Sequence, residues 1–140
     1  MRTPHLLALA AVLALSLPAT APAATKNGIT PLAPKAGGLI ASGKSPTFRM
    51  RARGSGQVWV HVCKTPKKLR NGVICNEESI GRARKVSGVF RFTPKFFDFP
   101  EFWLNRPGTY YWQAHRIDCA GSDCQKEGPT VKFRVTPVVP

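Results

Sequence analysis

The sequence predicts an all-β fold, a seven-stranded two-sheet sandwich, and three observations carry that prediction. Apolar and polar residues alternate with period two in run after run, and no helical period is sustained. Clusters of Gly, Pro, Ser and Asn separate the runs. The runs number about seven, the count of a two-sheet sandwich, in a chain of 140 residues that suits one domain.

The elements follow in chain order. Residues 1–23 read as a signal peptide. Arg2 supplies the positive end, residues 6–17 (LLALAAVLALSL) form an apolar run, Pro18 breaks it, and Ala21–Ala23 place small residues at the cleavage site. The run is too short to be kept as a membrane span, which needs about 20 apolar residues, so no transmembrane segment is expected after cleavage. A secreted or extracytoplasmic protein, associated with the cell wall, is the expectation. Residues 24–37 (ATKNGITPLAPKAG) are rich in Pro, Gly and Thr and read as an N-terminal tether, leaving residues 38–137 as the folded domain.

The first expected strand is GLIAS (38–42). In TFRMRAR (47–53), Phe48 and Met50 alternate with Arg49, Arg51 and Arg53. In QVWVHVC (57–63), Val58, Val60 and Val62 alternate with Trp59, His61 and Cys63. A weaker run lies near IGRARKV (80–86). In GVFRFTP (88–94), Phe90 and Phe92 oppose Val89 and Arg91. In TYYWQAHRI (109–117), Tyr110, Trp112 and Ala114 oppose Tyr111, Gln113 and His115. In TVKFRVT (130–136), Val131, Phe133 and Val135 oppose Lys132 and Arg134.

Several of these stretches also carry a family resemblance. The run from Pro34 to Ile40 (PKAGGLI), then SPTFRM, VWVHVCKTP and LNRPGTYYWQA, resembles secreted bacterial fibronectin type III-like modules over about Pro31 to Pro137. Leu104, Pro107, Gly108, Thr109 and Tyr110 carry it most strongly. The resemblance implies that Tyr110 is a corner tyrosine whose hydroxyl bonds back to the preceding turn. Met50 stands where such modules usually have Trp, and the four cysteines are an addition. The resemblance implies binding, spacing or adhesion rather than catalysis.

Four cysteines in an exported chain suggest disulfides. In the sandwich, the strands ending at Cys63 and near Cys119 are antiparallel neighbours, so those ends lie at opposite poles. A bridge needs α-carbons within about 7 Å, which leaves the local pairs Cys63–Cys75 and Cys119–Cys124. A four-cysteine zinc site fits the spacing poorly, and neither pair has the C-x-x-C spacing of redox catalysis. No metal and no cofactor are expected.

Catalysis is not expected either. Only His61 and His115 remain once His5 leaves with the signal peptide, and no nucleophile, base and acid stand together. Asp98 and Glu101, three apart in a loop, make a weak pair for glycoside hydrolysis. A non-enzymatic binding module is the expectation.

The 21 Lys and Arg against 7 Asp and Glu give a net charge of +14, which favours polyanionic surroundings. The plain alternative is a basic protein kept soluble by self-repulsion. Inward valines and an inward Trp112 would turn Trp59, His61, Tyr111, Gln113 and His115 to the opposite face, joined there by Lys132 and Arg134. That patch suits stacking on sugar rings or gripping an anion. Its rival reading is a face covered by other parts of the chain, with aromatics serving cross-strand pairing. Arg49, Arg51, Arg53 and Arg91 should share one outer face of the other sheet. Two further basic groups, Lys64, Lys67, Lys68 and Arg70, and Arg82, Arg84 and Lys85, extend what looks like a general electrostatic coat. No element for sequence-specific nucleic-acid reading is visible. The aromatic loop Phe96–Trp103 is expected to cap the core.

The expected function is therefore non-catalytic binding of an acidic polymer or glycan at the cell envelope. The alternative is a structural or protein-interaction module, for adhesion or spacing, without a small ligand.

Overall fold

The computed structural model describes residues 23–70, 72–75, 78–95, 106–118 and 124–137, apart from the side chains of Val73, Glu78 and Ser79. Residues 1–22 of the expected signal peptide, the aromatic segment with Asp98 and Glu101, and Cys119 lie outside them.

The described chain is all β. Its strands are β1 (Ile29–Ala33), β2 (Gly38–Ala41), β3 (Phe48–Ala52), β4 (Gln57–Cys63), β5 (Lys67–Leu69), β6 (Gly72–Ile74), β7 (Glu78–Val86), β8 (Val89–Phe92), β9 (Gly108–Ile117), β10 (Gln125–Glu127) and β11 (Val131–Thr136). Nine belong to one curled sheet, ordered β1-β3-β8-β7-β4-β9-β11-β2 with β10 added on β9, while β5 and β6 form a separate hairpin. All seven runs predicted from periodicity are strands. The described residues hold eleven, and the four extra ones have physical reasons for escaping notice. β5, β6 and β10 are three residues each, too short to display an alternation.

The fourth, β1, lies inside the expected tether, which is thereby corrected. Ile29 is buried and heads a strand antiparallel to β3, with the register shifting between Pro31 and Ala33. Pro is tolerated at such an edge or bulge, so composition alone misread the segment. After Pro34 the chain crosses over, and β2 pairs in parallel with β11.

β7 is where the sheet folds over. It pairs with β4 as far as Ala83 and with β8 from Arg84 onward. Period two then sends one face of each half into a common core. Phe48 and Met50 of β3, Val58, Val60 and Val62 of β4, Tyr110, Trp112 and Ala114 of β9, and Val131, Phe133 and Val135 of β11 are all buried there. Phe48 meets the Trp112 ring edge-on at 5.3 Å and the Phe133 ring at 6.2 Å, the geometry favoured by ring quadrupoles. The Trp112 indole N–H, which needs a partner once buried, donates to the Pro34 carbonyl at 3.0 Å.

Two local expectations are met. Cys63 and Cys75 are bridged with α-carbons 5.5 Å apart. The ends of β4 and β9 do lie at opposite poles, since Cys63 pairs with Tyr111 at one end of the β4–β9 ladder and Gln57 with Ile117 at the other. No described cysteine is free, and the second expected bridge involves Cys119, outside the described residues. Tyr110 is buried and its hydroxyl donates to the Arg106 carbonyl at 2.7 Å.

Candidate functional site

The seven residues expected to share a face do share it. Across the ladders Trp59 stands opposite His115, His61 opposite Gln113, Tyr111 opposite Lys132, and Arg134 opposite Thr109. The valines and Trp112 fill the core on the other side, so the predicted phase is correct. Exposure is another matter. Gln113 and His115 are 0 % exposed, and this corrects their assignment as contact residues.

Two segments, one earlier in the chain and one later, cover them. The Cys75 N–H, held over the sheet by the disulfide, donates to Gln113 Oε1 at 2.9 Å. The Gln113 amide in turn donates to the Gly128 carbonyl at 2.7 Å, just beyond β10. Gly128 itself packs so closely on Ile29 that a Cβ would sit 2.7 Å from Ile29 Cγ2. His115 completes the cluster, with Nε2 2.9 Å from Gln113 Oε1 and Nδ1 2.6 Å from the Gln125 amide. The His61 ring stacks on it at 3.8 Å, nearly parallel.

Burial holds both imidazoles well below their ordinary value, His61 at about 4 and His115 at about 3, the latter depressed further by His61. They are neutral packing groups near pH 7. Trp59, His61 and Tyr111 are half-buried, and the Trp59 indole donates to Gln57 Oε1 at 3.2 Å. Lys132 and Arg134 alone among the seven are well exposed. This face is a small second core, polar and stapled, rather than an open stacking platform.

The opposite half of the sheet carries an arginine face that is more ordered than the expected electrostatic coat. Arg49 on β3 stands directly opposite Arg91 on β8, and Arg91 directly opposite Arg84 on β7. All three are exposed, as are Arg51 and Arg53. Three arginines thus form a row across three neighbouring strands, spaced about 5 Å apart at the backbone. Neither β3 nor β8 contains an acidic residue, and the one on β7, Glu78, starts that strand, away from Arg84.

No family model, curated protein or solved structure matches this chain. Its site therefore rests on its own geometry. Like charges placed directly opposite on a sheet destabilise it, by a few tenths to about 1 kcal/mol per pair. A row kept in that arrangement is suited to a ligand that supplies the missing negative charge. Guanidinium groups are also the side chains best matched to phosphate and carboxylate oxygens, which they grip with two parallel N–H bonds.

A second feature adjoins the row. A cavity of about 630 Å³ is bounded by the Gly54–Gly56 loop on one side and by Arg82, Arg84 and Lys85 on the other. Those three basic residues are neighbours in the sequence, whereas the loop they face carries no sequence signal, because that proximity arises only where β4 and β7 part.

Proposed function

We propose that this protein is a non-catalytic, exported module that binds an anionic polymer at the cell envelope through the Arg49–Arg91–Arg84 row. The observation that carries the reading is the in-register alignment of those arginines with no acidic residue on β3 or β8. Arg51 extends the same face along β3, two residues from Arg49. The face opposite Trp112, with Gln113 and His115 buried, is assigned a structural role, and its exposed Lys132 and Arg134 add to the long-range field.

The module is read as a fibronectin type III-like sandwich. Support comes from strand order. With β1, β3, β4, β7, β8, β9 and β11 taken as the seven strands of such a sandwich, the first, second, fifth and fourth lie side by side, as do the third, sixth and seventh, which is the immunoglobulin-type arrangement. The Tyr110 hydroxyl bond to the turn before its strand is the corner expected of the resemblance. Cys63–Cys75 suits an oxidising compartment.

Retention on immobilised dextran sulfate and polyphosphate across a salt gradient tests the reading. The protein should be held at low salt, and R49Q/R91Q should elute earlier, with the salt slope lowered by about two, one per lost contact. A K132Q/R134Q variant should behave almost as the parent. If K132Q/R134Q shifts elution and R49Q/R91Q does not, the row is not the binding face. Weak retention together with capture of a single envelope protein would favour the protein-interaction reading instead.

A further inference from the structure

The cavity beside the row has a chemistry of its own. It forms where two ladders diverge. β4 and β7 stay paired as far as Val58 and Ala83, after which β7 turns to pair with β8 and leaves the start of β4 behind. Gly54 and Gly56, both at positive φ (92° and 107°), carry the chain around this gap. A Cβ on Gly54 would lie 2.7 Å from the Arg116 guanidinium, and one on Gly56 would collide with the Ile117 carbonyl. The loop is therefore pressed back against the end of β9, which leaves open space between it and β7.

Three cationic residues, Arg82, Arg84 and Lys85, line that space, and no acidic residue does. Val58, Ala83 and Phe90 give it an apolar wall, and Gln57 adds an amide. The Lys85 ammonium lies 5.7 Å from the centre of the Phe90 ring, so the positive charge and the apolar wall are neighbours. The volume, about 630 Å³, falls in the range of small-molecule sites, roughly 300–1,000 Å³, and is far larger than one bare oxyanion requires.

From this we infer a binding site for a phosphorylated sugar unit, with the phosphate dianion held by Arg82, Arg84 and Lys85 and the sugar body against Phe90 and Gln57. A carboxylate would balance only one of three positive charges. A phosphate dianion balances two and offers oxygens for bidentate contact with arginine. The site goes beyond the polyanion reading and shares only Arg84 with the row, since Arg82 and Lys85 lie outside it.

Amide shifts of the ¹⁵N-labelled full chain during titration with glucose 6-phosphate at fixed ionic strength provide the test. Saturable shifts should centre on Gly54, Gly56, Arg84 and Lys85. Glucose should give none, and glucuronate and inorganic phosphate should bind at least tenfold more weakly. R82Q/K85Q should weaken glucose 6-phosphate at least tenfold, while R49Q/R91Q leaves it unchanged. Because the map is made on the unaltered protein, a misfolded variant does not blunt the test. Glucuronate binding as tightly as glucose 6-phosphate would overturn the proposal, as would unsaturating shifts or shifts confined to Arg49 and Arg91. Loss of polymer retention in R49Q/R91Q with sugar-phosphate binding intact, or the reverse, separates the two sites.

Discussion

At the scale of single residues, the tautomer of His115 follows from its neighbours. Gln113 Oε1 is identified by the Cys75 N–H that donates to it, so His115 Nε2, 2.9 Å from the same oxygen, must carry the ring proton. Nδ1 then accepts from the Gln125 amide. A second proton, on Nδ1, would point at that donor and sit beside the stacked His61 ring. This agrees with burial depressing both rings, to about 4 and about 3. The unfolded chain takes up protons near the ordinary value of about 6.5, so the folded state loses ground as pH falls below it and keeps losing until the folded values are passed. Thermal unfolding followed from pH 7.5 to 4 should show a falling melting temperature below pH 6.5. In H61F one titrating ring is gone and the fall should be shallower; an unchanged slope would show that the pair is not its source. Tyr110 offers a second check at this scale. Y110F removes the 2.7 Å donor to the Arg106 carbonyl from a partly buried bond, and urea unfolding should show a loss of about 0.5–1.5 kcal/mol.

At the scale of elements, the β5–β6 hairpin depends on the sheet it covers. Two three-residue strands are not stable alone. The Cys63–Cys75 bridge closes their open base, and the Cys75 N–H to Gln113 bond fixes that base to β9. A closed loop of that length, with a separation of 12 residues, restricts the denatured chain by about 3 kcal/mol. C63A/C75A should therefore be less stable by about 2–3 kcal/mol in urea. It should also expose the Gln113 and His115 amides to faster hydrogen exchange than those of Phe133 or Val135. Equal acceleration everywhere would mean that the hairpin is not a local cover.

At the scale of the whole molecule, a net charge of +14 works against compaction, and the aligned arginines concentrate that repulsion on one face. Salt screens exposed charges within about 10 Å at 0.1 M. Raising sodium chloride from about 10 to 150 mM should therefore raise the melting temperature, by about 4–8 °C for each kcal/mol of repulsion relieved. R49Q/R91Q should melt higher than the parent at low salt and show less of this dependence. A parent whose melting temperature falls with salt would show that attraction, not repulsion, dominates its surface.

What the sequence determined is what repeats along the chain. Alternation set the strands and their two faces, down to placing Trp59, His61, Tyr111, Gln113 and His115 together opposite Trp112. Spacing and antiparallel order chose the Cys63–Cys75 pair. Tertiary structure decided what no single strand carries. Gln113 and His115 lost their exposure because Cys75 and Gly128 close over them from segments 38 and 15 residues away from Gln113. Ile29 became a strand residue because β3 offered it an edge and the core a site, against the turn-like composition around it. Arg49, Arg91 and Arg84 became a row through register, which is fixed by pairing between strands and not by period within one. The cavity exists because β7 leaves β4 for β8, a choice made by the curl of the whole sheet.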